Sequence, residues 1–441
     1  MKLWDKGTDT HREIERFTVG KDRELDIHLA PYDIMGSIAH AMMIADAGLI
    51  SGAERDQLVE ELRVIYRQVR AGRFVIEDGV EDVHSQVEKL LTESLGDVGK
   101  KIHSGRSRND QVLLDLRLYT RDQLLGIVKE VKALFYSFQE KSKEHQDKLI
   151  PGYTHTQLAM PSSFGLWFGA YAESLVDDLN LLHTAFAICN QNPLGSAAGF
   201  GSSFPLNRRK TTELLGFDEL NYNVVYAQMG RGKLERIVSM AVANLAAGLG
   251  KFADDCILYM NQHFGFISFP DELTTGSSIM PHKKNPDVFE IIRARCNRIQ
   301  SIPYETGLIN ANMISGYHRD LQLIKENYML MFREISDCLQ MTRLMTEHIR
   351  VKEQILDDEM YLHLFTVEEV NKLVNTGVPF RDAYQTVGKQ VTEGKFTSNR
   401  KINHTHEGSI NHLCHEEVEN KFEQIFQQFP DLTPVEKNLI Q

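Results

Sequence analysis

The sequence predicts an all-α protein built around a bundle of long helices. Apolar residues recur at steps of three and four over long stretches. Serine, glycine and proline stand at the ends of those stretches, where helices start and stop. Strand signals are few and short, "FISF" at 266–269 being one example.

The first hundred residues read as short helices broken by glycines. "DIMGSIAHAMMIADAGLI" has helical spacing and ends near Gly48. "SGAERDQLVEELRVIYRQVRAG" opens with Ser51 as N-cap and closes at Gly72. "DGVEDVHSQVEKLLTESLG" is a third helix. From Asp110 to about Lys148, Leu113, Leu116, Leu124, Ile127, Val131, Leu134 and Phe138 keep the period of a bundled helix. It would be about 58 Å long at 1.5 Å per residue. Further long helices are expected from about Pro161 to Asn190, with Pro161 in the first turn, and from about Lys233 to His263. Two more start near Pro286, bending at Pro303, and run from about Asp320 to Arg350. These five helices describe an extended bundle. Faces as apolar as "SMAVANLAAGLGKFA" predict oligomerisation through it. After residue 360, "TVEEVNKLVNTGVPFRDAYQTVGKQV" reads as two helices around a Gly-Val-Pro turn, and "HTHEGSI" as a loop. The expected division is three helical domains, 1–108, 109–358 and 359–441.

At 441 residues the chain can bury a large core, and 42% apolar with 25% charged residues is ordinary for a globular protein. The net charge of −12 argues against a general binder of nucleic acid or membrane surfaces. Any anion bound must therefore meet a local cluster of basic groups. Cys189, Cys256, Cys296, Cys338 and Cys414 have no paired spacing and read as reduced, mostly buried thiols of a cytoplasmic protein. "MKLWDKGTDTHREIERF" has no apolar core of a secretory signal, and no apolar run suggests a membrane span.

The chemistry-bearing residues cluster between the long helices, where loops carry function and helix N-termini offer free N–H groups. In "KKIHSGRSRNDQ", Arg106 and Arg108 with Asn109 could clamp a carboxylate; equally, this could be a solvated basic loop with Asn109 or Asp110 capping the next helix. In "IPGYTHTQLAMPSS", Thr154 and His155 lie in a turn, catalytic or structural. "TTGSSIMPHKKNPD" holds Ser277, Ser278, Lys283, Lys284 and Asn285 behind Gly276, as an anion loop or a polar surface loop. No GxSxG, GxxxxGK[ST] or GxGxxG motif is present. His404, His406, His412, Cys414 and His415 lack the usual zinc spacing and read as an exposed histidine-rich loop.

Taken together, "GSSIMPHKKNPD", "HSGRSRNDQV", "PGYTHTQLAMP", "NPLGSAAG" and "GVPFRDAYQTVG" resemble the argininosuccinate lyases of the aspartase/fumarase superfamily, over nearly the whole chain. The resemblance implies three helical domains and a homotetramer whose middle domains form a twenty-helix core, each active site taking loops from three subunits. It implies β-elimination of argininosuccinate to arginine and fumarate with no cofactor and no metal. By the same resemblance Ser277 is the candidate base, His155 the proton donor to the leaving group, and Glu290 the residue orienting His155; which of Ser277 and His155 is formally acid or base stays open. Arg108, Asn109, Thr154, Lys283 and Asn285 match contacts to the fumarate carboxylates. Tyr317, Gln322 and Lys325 match contacts at the arginine end, Arg231 survives from a further binding tract, and His84 matches a histidine of a mobile active-site loop. The "TTGSSIMPHKKNPD" segment is expected to act as a mobile lid.

The sequence departs from the family at four places. Gly20 stands where a serine is usual, "YAQMGRGK" replaces an acidic tract, "YHRDLQLIK" carries His318 and Arg319 and lacks an acidic pair, and His282 replaces a glutamine. The other readings are a sister lyase acting on adenylosuccinate, aspartate or fumarate, and a non-catalytic, crystallin-like homologue.

Overall fold

Hydroxyl and carboxylate side chains start several of the helices that build this protein. Ser51 Oγ accepts from Glu54 N while Glu54 accepts from Ser51 N, a reciprocal capping box. Ser107 and Asp110 form another, Asp82 accepts from Ser85 N at 2.8 Å, and Ser163 accepts from Leu166 N at 3.0 Å. Each cap satisfies N–H groups that a helix start leaves without partners.

The computed structural model describes residues 12–441, so the reading of the N-terminal segment as lacking a secretory signal lies largely outside the described residues. The N-terminal helices are α1 (Arg12–Val19), α2 (Asp22–Asp26), α3 (Ala30–Asp46), α4 (Gly52–Arg70), α5 (Val83–Leu95) and α6 (Asp97–Lys100). The middle holds α7 (Arg108–Glu144), α8 (Phe164–Cys189), α9 (Arg208–Leu214), α10 (Val224–Met229), α11 (Lys233–Met260), α12 (Asp287–Ile299), α13 (Ile302–Ile309) and α14 (Ile324–Glu347). The chain ends with α15 (Thr366–Asn375), α16 (Phe380–Thr392), α17 (His415–Phe426) and α18 (Thr433–Ile440). The all-α expectation holds, and a short strand at Ile267–Ser268, inside "FISF", pairs with Arg350–Val351.

Three local expectations are corrected. The first long helix begins at Arg108 with Ser107 as its N-cap residue; Asn109 does not cap it, and Asp110 contributes from the third helical position by accepting from Ser107 N; its 37 residues span about 56 Å. Pro161 is not in a helix. It lies in strand β2 (Gln157–Ser163), opposite Pro151 of β1 (Leu149–Thr154), and α8 starts only after Ser163. Two prolines facing each other need no ladder donors there, and in a two-stranded hairpin both strands are edges. Gly152 allows the close approach, because a Cβ there would lie 2.8 Å from Met160 O. The helix expected to bend at Pro303 instead breaks at Gln300–Ser301, and Pro303 occupies the first turn of α13.

Three apolar clusters form among the described residues. The largest joins α7, α8, α11, α12 and α14 and includes Phe422 of α17, which stacks on Phe135 with ring centroids 4.0 Å apart. The second fills α3, α4 and α5 and includes Leu439 of α18. The third is small: Val370, Ala383, Val387 and Phe396 around α15 and α16. α11 is long and apolar enough to cross a membrane by length and composition, yet one face packs into the bundle core while Met240 and Leu258 remain exposed. Four of the five cysteines are buried, and all are free thiols.

Phe422 is fully buried against Phe135. Phe422→Ala should destabilise the protein by about 3–5 kcal/mol, read as a lower midpoint in urea unfolding; an unchanged midpoint would mean α17 does not belong to the central core.

Candidate active site

The start of α7 sets the site. Its capping box points Arg108 and Asn109 into a cavity of about 280 Å³. α2 adds Asp22 and Asp26. The N-cap and first turn of α5 add Asp82 and His84, and the turn ahead of α7 adds His103 and Ser107. Arg231 and the segment carrying Tyr317, Arg319, Gln322 and Lys325 close the far wall. Of the expected site residues, the fold thus brings together His84, Arg108, Asn109, Arg231, Tyr317, Gln322 and Lys325.

The cavity walls are charged but internally paired. Arg108 Nη1 lies 3.1 Å from Glu81, and its other amino group meets Asp82. Burial works against the Arg108 charge, but Asp82 and Glu81 outweigh it and raise its pKa. Lys325 Nζ sits 2.6 Å from Asp26 and 2.7 Å from Asp22. The balance is the same: burial opposes the ammonium, and the two carboxylates hold it charged. Gln322 also donates to Asp22. Arg231 is buried, donates to Leu321 O at 3.2 Å, and lies 5.8 Å from the centre of the Tyr317 ring. His84 is not carried on a loop: it is in the first turn of α5, its ring buried and bonded to Asp33 at 2.9 Å. Arg106 turns away to donate to Ser37 Oγ and does not line the cavity.

The structure places two of the departures. Gly20 has φ +53 and its N–H donates to Arg16 O, closing α1 as a left-handed C-terminal residue. The cavity-lining side chain of that segment is Asp22. Arg319, from the altered "YHRDLQLIK" stretch, is tied to Glu81 at 2.8 Å. Asp22, Asp26, Asp82, His103, Ser107 and Arg319 were not anticipated as site residues. The signal for Asp22 and Asp26 was the short charged "DRELD" ahead of an apolar run, but their cation, Lys325, is 299 residues from Asp26.

The remaining expected residues lie elsewhere. Thr154 and His155 are exposed at the tip of the β1–β2 hairpin, where Thr154 pairs with Gln157. His155 (φ +54) and Thr156 (φ +59) form its two-residue turn, both in the left-handed region. Such backbone strain in non-glycine residues clusters at functional sites. Ser277, Lys283 and Asn285 belong to a second protruding loop, closed by a bridge between Thr275 and Asn285. Ser277 Oγ accepts from the N–H of Met280 at 3.2 Å and of Ile279 at 3.4 Å. Asn285 Nδ2 donates to Gly276 O at 3.2 Å. Lys284 is paired with Asp271, whereas Lys283 has no ion-pair partner among the described residues. Glu290 is exposed on α12. No hydrogen bond or ion pair joins Ser277, His155 and Glu290 among the described residues of one chain. Two of the C-terminal histidines have partners elsewhere in the fold: His404 with Glu368 at 3.0 Å, and His415, which opens α17 and is not part of the expected exposed loop, with Ser142 of α7 at 2.8 Å.

This helical bundle has its charged cavity at the start of the longest helix and polar residues on separate projecting loops, and a family model described as Lyase matches residues 5–301. The argininosuccinate lyase of Bacteroides thetaiotaomicron is 58% identical over 97% of this chain and 96% of its own length, and that of Bacteroides fragilis 57% identical over 100% and 99%. The chain belongs to the argininosuccinate lyase family. A crystal structure of EDDS lyase in complex with formate shares the fold, with a TM-score of 0.79 at 21% identity over 98% of this chain and 95% of that one.

Lys325 is the only cation facing both Asp22 and Asp26 among the described residues. Lys325→Met should cost about 3–5 kcal/mol, the penalty for breaking a buried ion pair on one side, measured by chemical unfolding. A cost below 1 kcal/mol would show that the two carboxylates are solvated.

Proposed function

We propose that this enzyme catalyses the reversible β-elimination of argininosuccinate to L-arginine and fumarate, the last step of arginine biosynthesis. The observation that carries the reading is identity of 57–58% to argininosuccinate lyases along essentially the whole chain. The cavity chemistry agrees. The substrate carries three carboxylates, a guanidinium and an ammonium. Arg108, His84, Arg231 and Lys325 can meet the anions, and Asp22, Asp26 and Asp82 the cations.

In the proposed mechanism, Ser277 Oγ removes the proton next to a carboxylate. A serine base needs its negative charge stabilised, and the Ile279 and Met280 N–H groups that point at Oγ supply fixed dipoles for it. Lys283 and Asn285 hold one substrate carboxylate, with Arg108, Asn109 and Thr154 on the other. Lys283 also neutralises the doubly negative carboxylate that forms as the proton leaves. His155 gives a proton to the departing guanidinium nitrogen, oriented by Glu290. Tyr317, Gln322, Lys325, Arg231 and His84 complete the binding surface. No cofactor or metal takes part.

These groups lie on separate parts of one chain, so a complete site requires other copies. We assign a homotetramer in which α7, α8, α11, α12 and α14 of each subunit build the twenty-helix core, each site drawing on three subunits. Exposed apolar side chains on the central helices, among them Met240, Leu258, Ile291 and Leu308, supply surface for that assembly. The division into domains 1–108, 109–358 and 359–441 accompanies it, with α17 and α18 returning to the other two cores. The protein works in the cytoplasm, without nucleic-acid or membrane partners.

The test is fumarate release from argininosuccinate, followed by ultraviolet absorbance alongside adenylosuccinate and aspartate as alternative substrates. Ser277→Ala should lower kcat by at least ~10² while the variant stays folded. Full activity of Ser277→Ala would remove Ser277 from the reaction.

A further inference from the structure

Three side chains from three helices meet beneath the cavity: Asp33 of α3, His84 of α5 and Asp115 of α7. Their exposures are 1%, 5% and 1%. His84 Nδ1 lies 2.9 Å from Asp33 Oδ1 and 3.5 Å from Asp115 Oδ2. Gln111 Nε2 donates to the same Asp33 oxygen at 3.2 Å. Because the nearest neighbours of Nδ1 are carboxylate oxygens, Nδ1 carries a proton and donates it. The ring's other nitrogen, Nε2, has no hydrogen-bond partner among the described residues, and the ring lines the cavity.

We propose that Asp33 and Asp115 are positioning residues that hold His84 as an imidazolium and present its Nε2–H to a carboxylate of the substrate. The identity of that carboxylate rests on the argininosuccinate reading above; the charge of His84 does not.

The charged groups around the ring explain why it would keep its proton. Asp33 comes from α3, Asp115 from α7 and Asp82 from the N-cap of α5, with Asp26 of α2 near Asp115 and Arg106 beside Asp33 and Asp115. Burial alone would strip the proton from His84. Asp33, then Asp115 and Asp82, outweigh it and raise the pKa to about 9. Burial likewise acts to raise Asp33, but His84 outweighs it and holds Asp33 below the usual carboxylate range. Asp115 goes the other way: burial first, then Asp33, push it well above that range. The imidazolium thus sits against the ionised Asp33, a pair close to neutral overall, which a dry site tolerates. The gain is a charge-assisted donor whose orientation is fixed from behind, like the carboxylate behind a catalytic histidine.

The same donor atoms lie within 4.8 Å of one another, as a divalent cation would need. The proton on Nδ1 and the Arg106 guanidinium nearby disfavour a second cation there. Metal capture is accordingly an outcome that would overturn the proposal.

The experiment is a pH titration of the full-length protein labelled with 13C at histidine Cε1, with the His84 signal identified by its loss in His84→Gln. The wild-type midpoint should lie near about 9, and Asp33→Asn should lower it by roughly two pH units or more, with a smaller fall in Asp115→Asn. In the same variants the inhibition constant of fumarate should rise about tenfold or more for Asp33→Asn, in line with loss of a charge-assisted hydrogen bond. A wild-type midpoint near the ordinary value of about 6.5 would overturn the proposal even if Asp33→Asn failed to fold. So would an unchanged midpoint in both variants, or displacement of the His84 signal by one equivalent of Co2+ at neutral pH. Turnover measured on the same wild-type sample separates the two readings. A sample inert to argininosuccinate with His84 titrating near 9 sinks the argininosuccinate assignment alone. Normal turnover with His84 near 6.5 sinks the positioning role alone.

Discussion

Asp110 accepts three backbone N–H groups at once: Ser107 at 2.8 Å, Gly195 at 3.0 Å and Ala197 at 2.8 Å. Its burial pushes its pKa up to about 6, against the pull of those three donors. One bond closes the capping box that starts α7 and so aims Arg108 and Asn109. The other two pin the "NPLGSAAG" loop after α8, where Ala197 adopts φ +52. Gln228 of α10 then donates to Ala197 O at 3.1 Å, so the element ahead of Arg231 is tied to the same loop. A single fixed carboxylate thus relates the cations on two walls of the cavity.

The second constraint is electrostatic. A chain of net charge −12 must gather cations locally to hold an anion, and the cavity does so with Arg108, Arg231, Arg319 and Lys325. Three of these four are already matched by acids: Arg108 by Glu81 and Asp82, Arg319 by Glu81, Lys325 by Asp22 and Asp26. Unpaired cations at such density would repel each other and cost stability. A substrate bearing both signs can exchange with these pairs, taking a cation from one acid while offering its own cation in return. The acids of the cavity are therefore part of recognition as well as of folding.

The long helices were legible because packing in a bundle imposes a helical period over many turns, and that pattern is written in consecutive residues. The boundaries were not. The cap expected at Asn109 or Asp110 lies two or three residues earlier, at Ser107, and the reciprocal bond makes Asp110 its partner inside the first turn. The hairpin of Pro151 and Pro161 was hidden because each proline taken singly reads as a helix start or a turn, and its meaning depends on its cross-strand partner. His155 was singled out by residue type, yet its left-handed φ at the hairpin tip is a property of the turn that holds it. Asp22 and Asp26 were missed for the same reason on a larger scale, since their partner Lys325 lies across the fold. The motif residues Ser277 and His155 could be named from sequence, but one chain leaves them on separate projections, and their proposed meeting across subunits is not written in consecutive residues.

That separation is the centre of the account, and a mixing experiment addresses it directly. Ser277→Ala and His155→Gln are each expected to be inactive alone and can be co-expressed so that mixed oligomers form. If the two residues come from different subunits, some sites in a mixed oligomer contain an intact serine and an intact histidine, and argininosuccinate cleavage returns to a measurable fraction of the wild-type rate. If folded, mixed oligomers stay as inert as either parent, the two residues work within one chain and the shared-site arrangement is wrong.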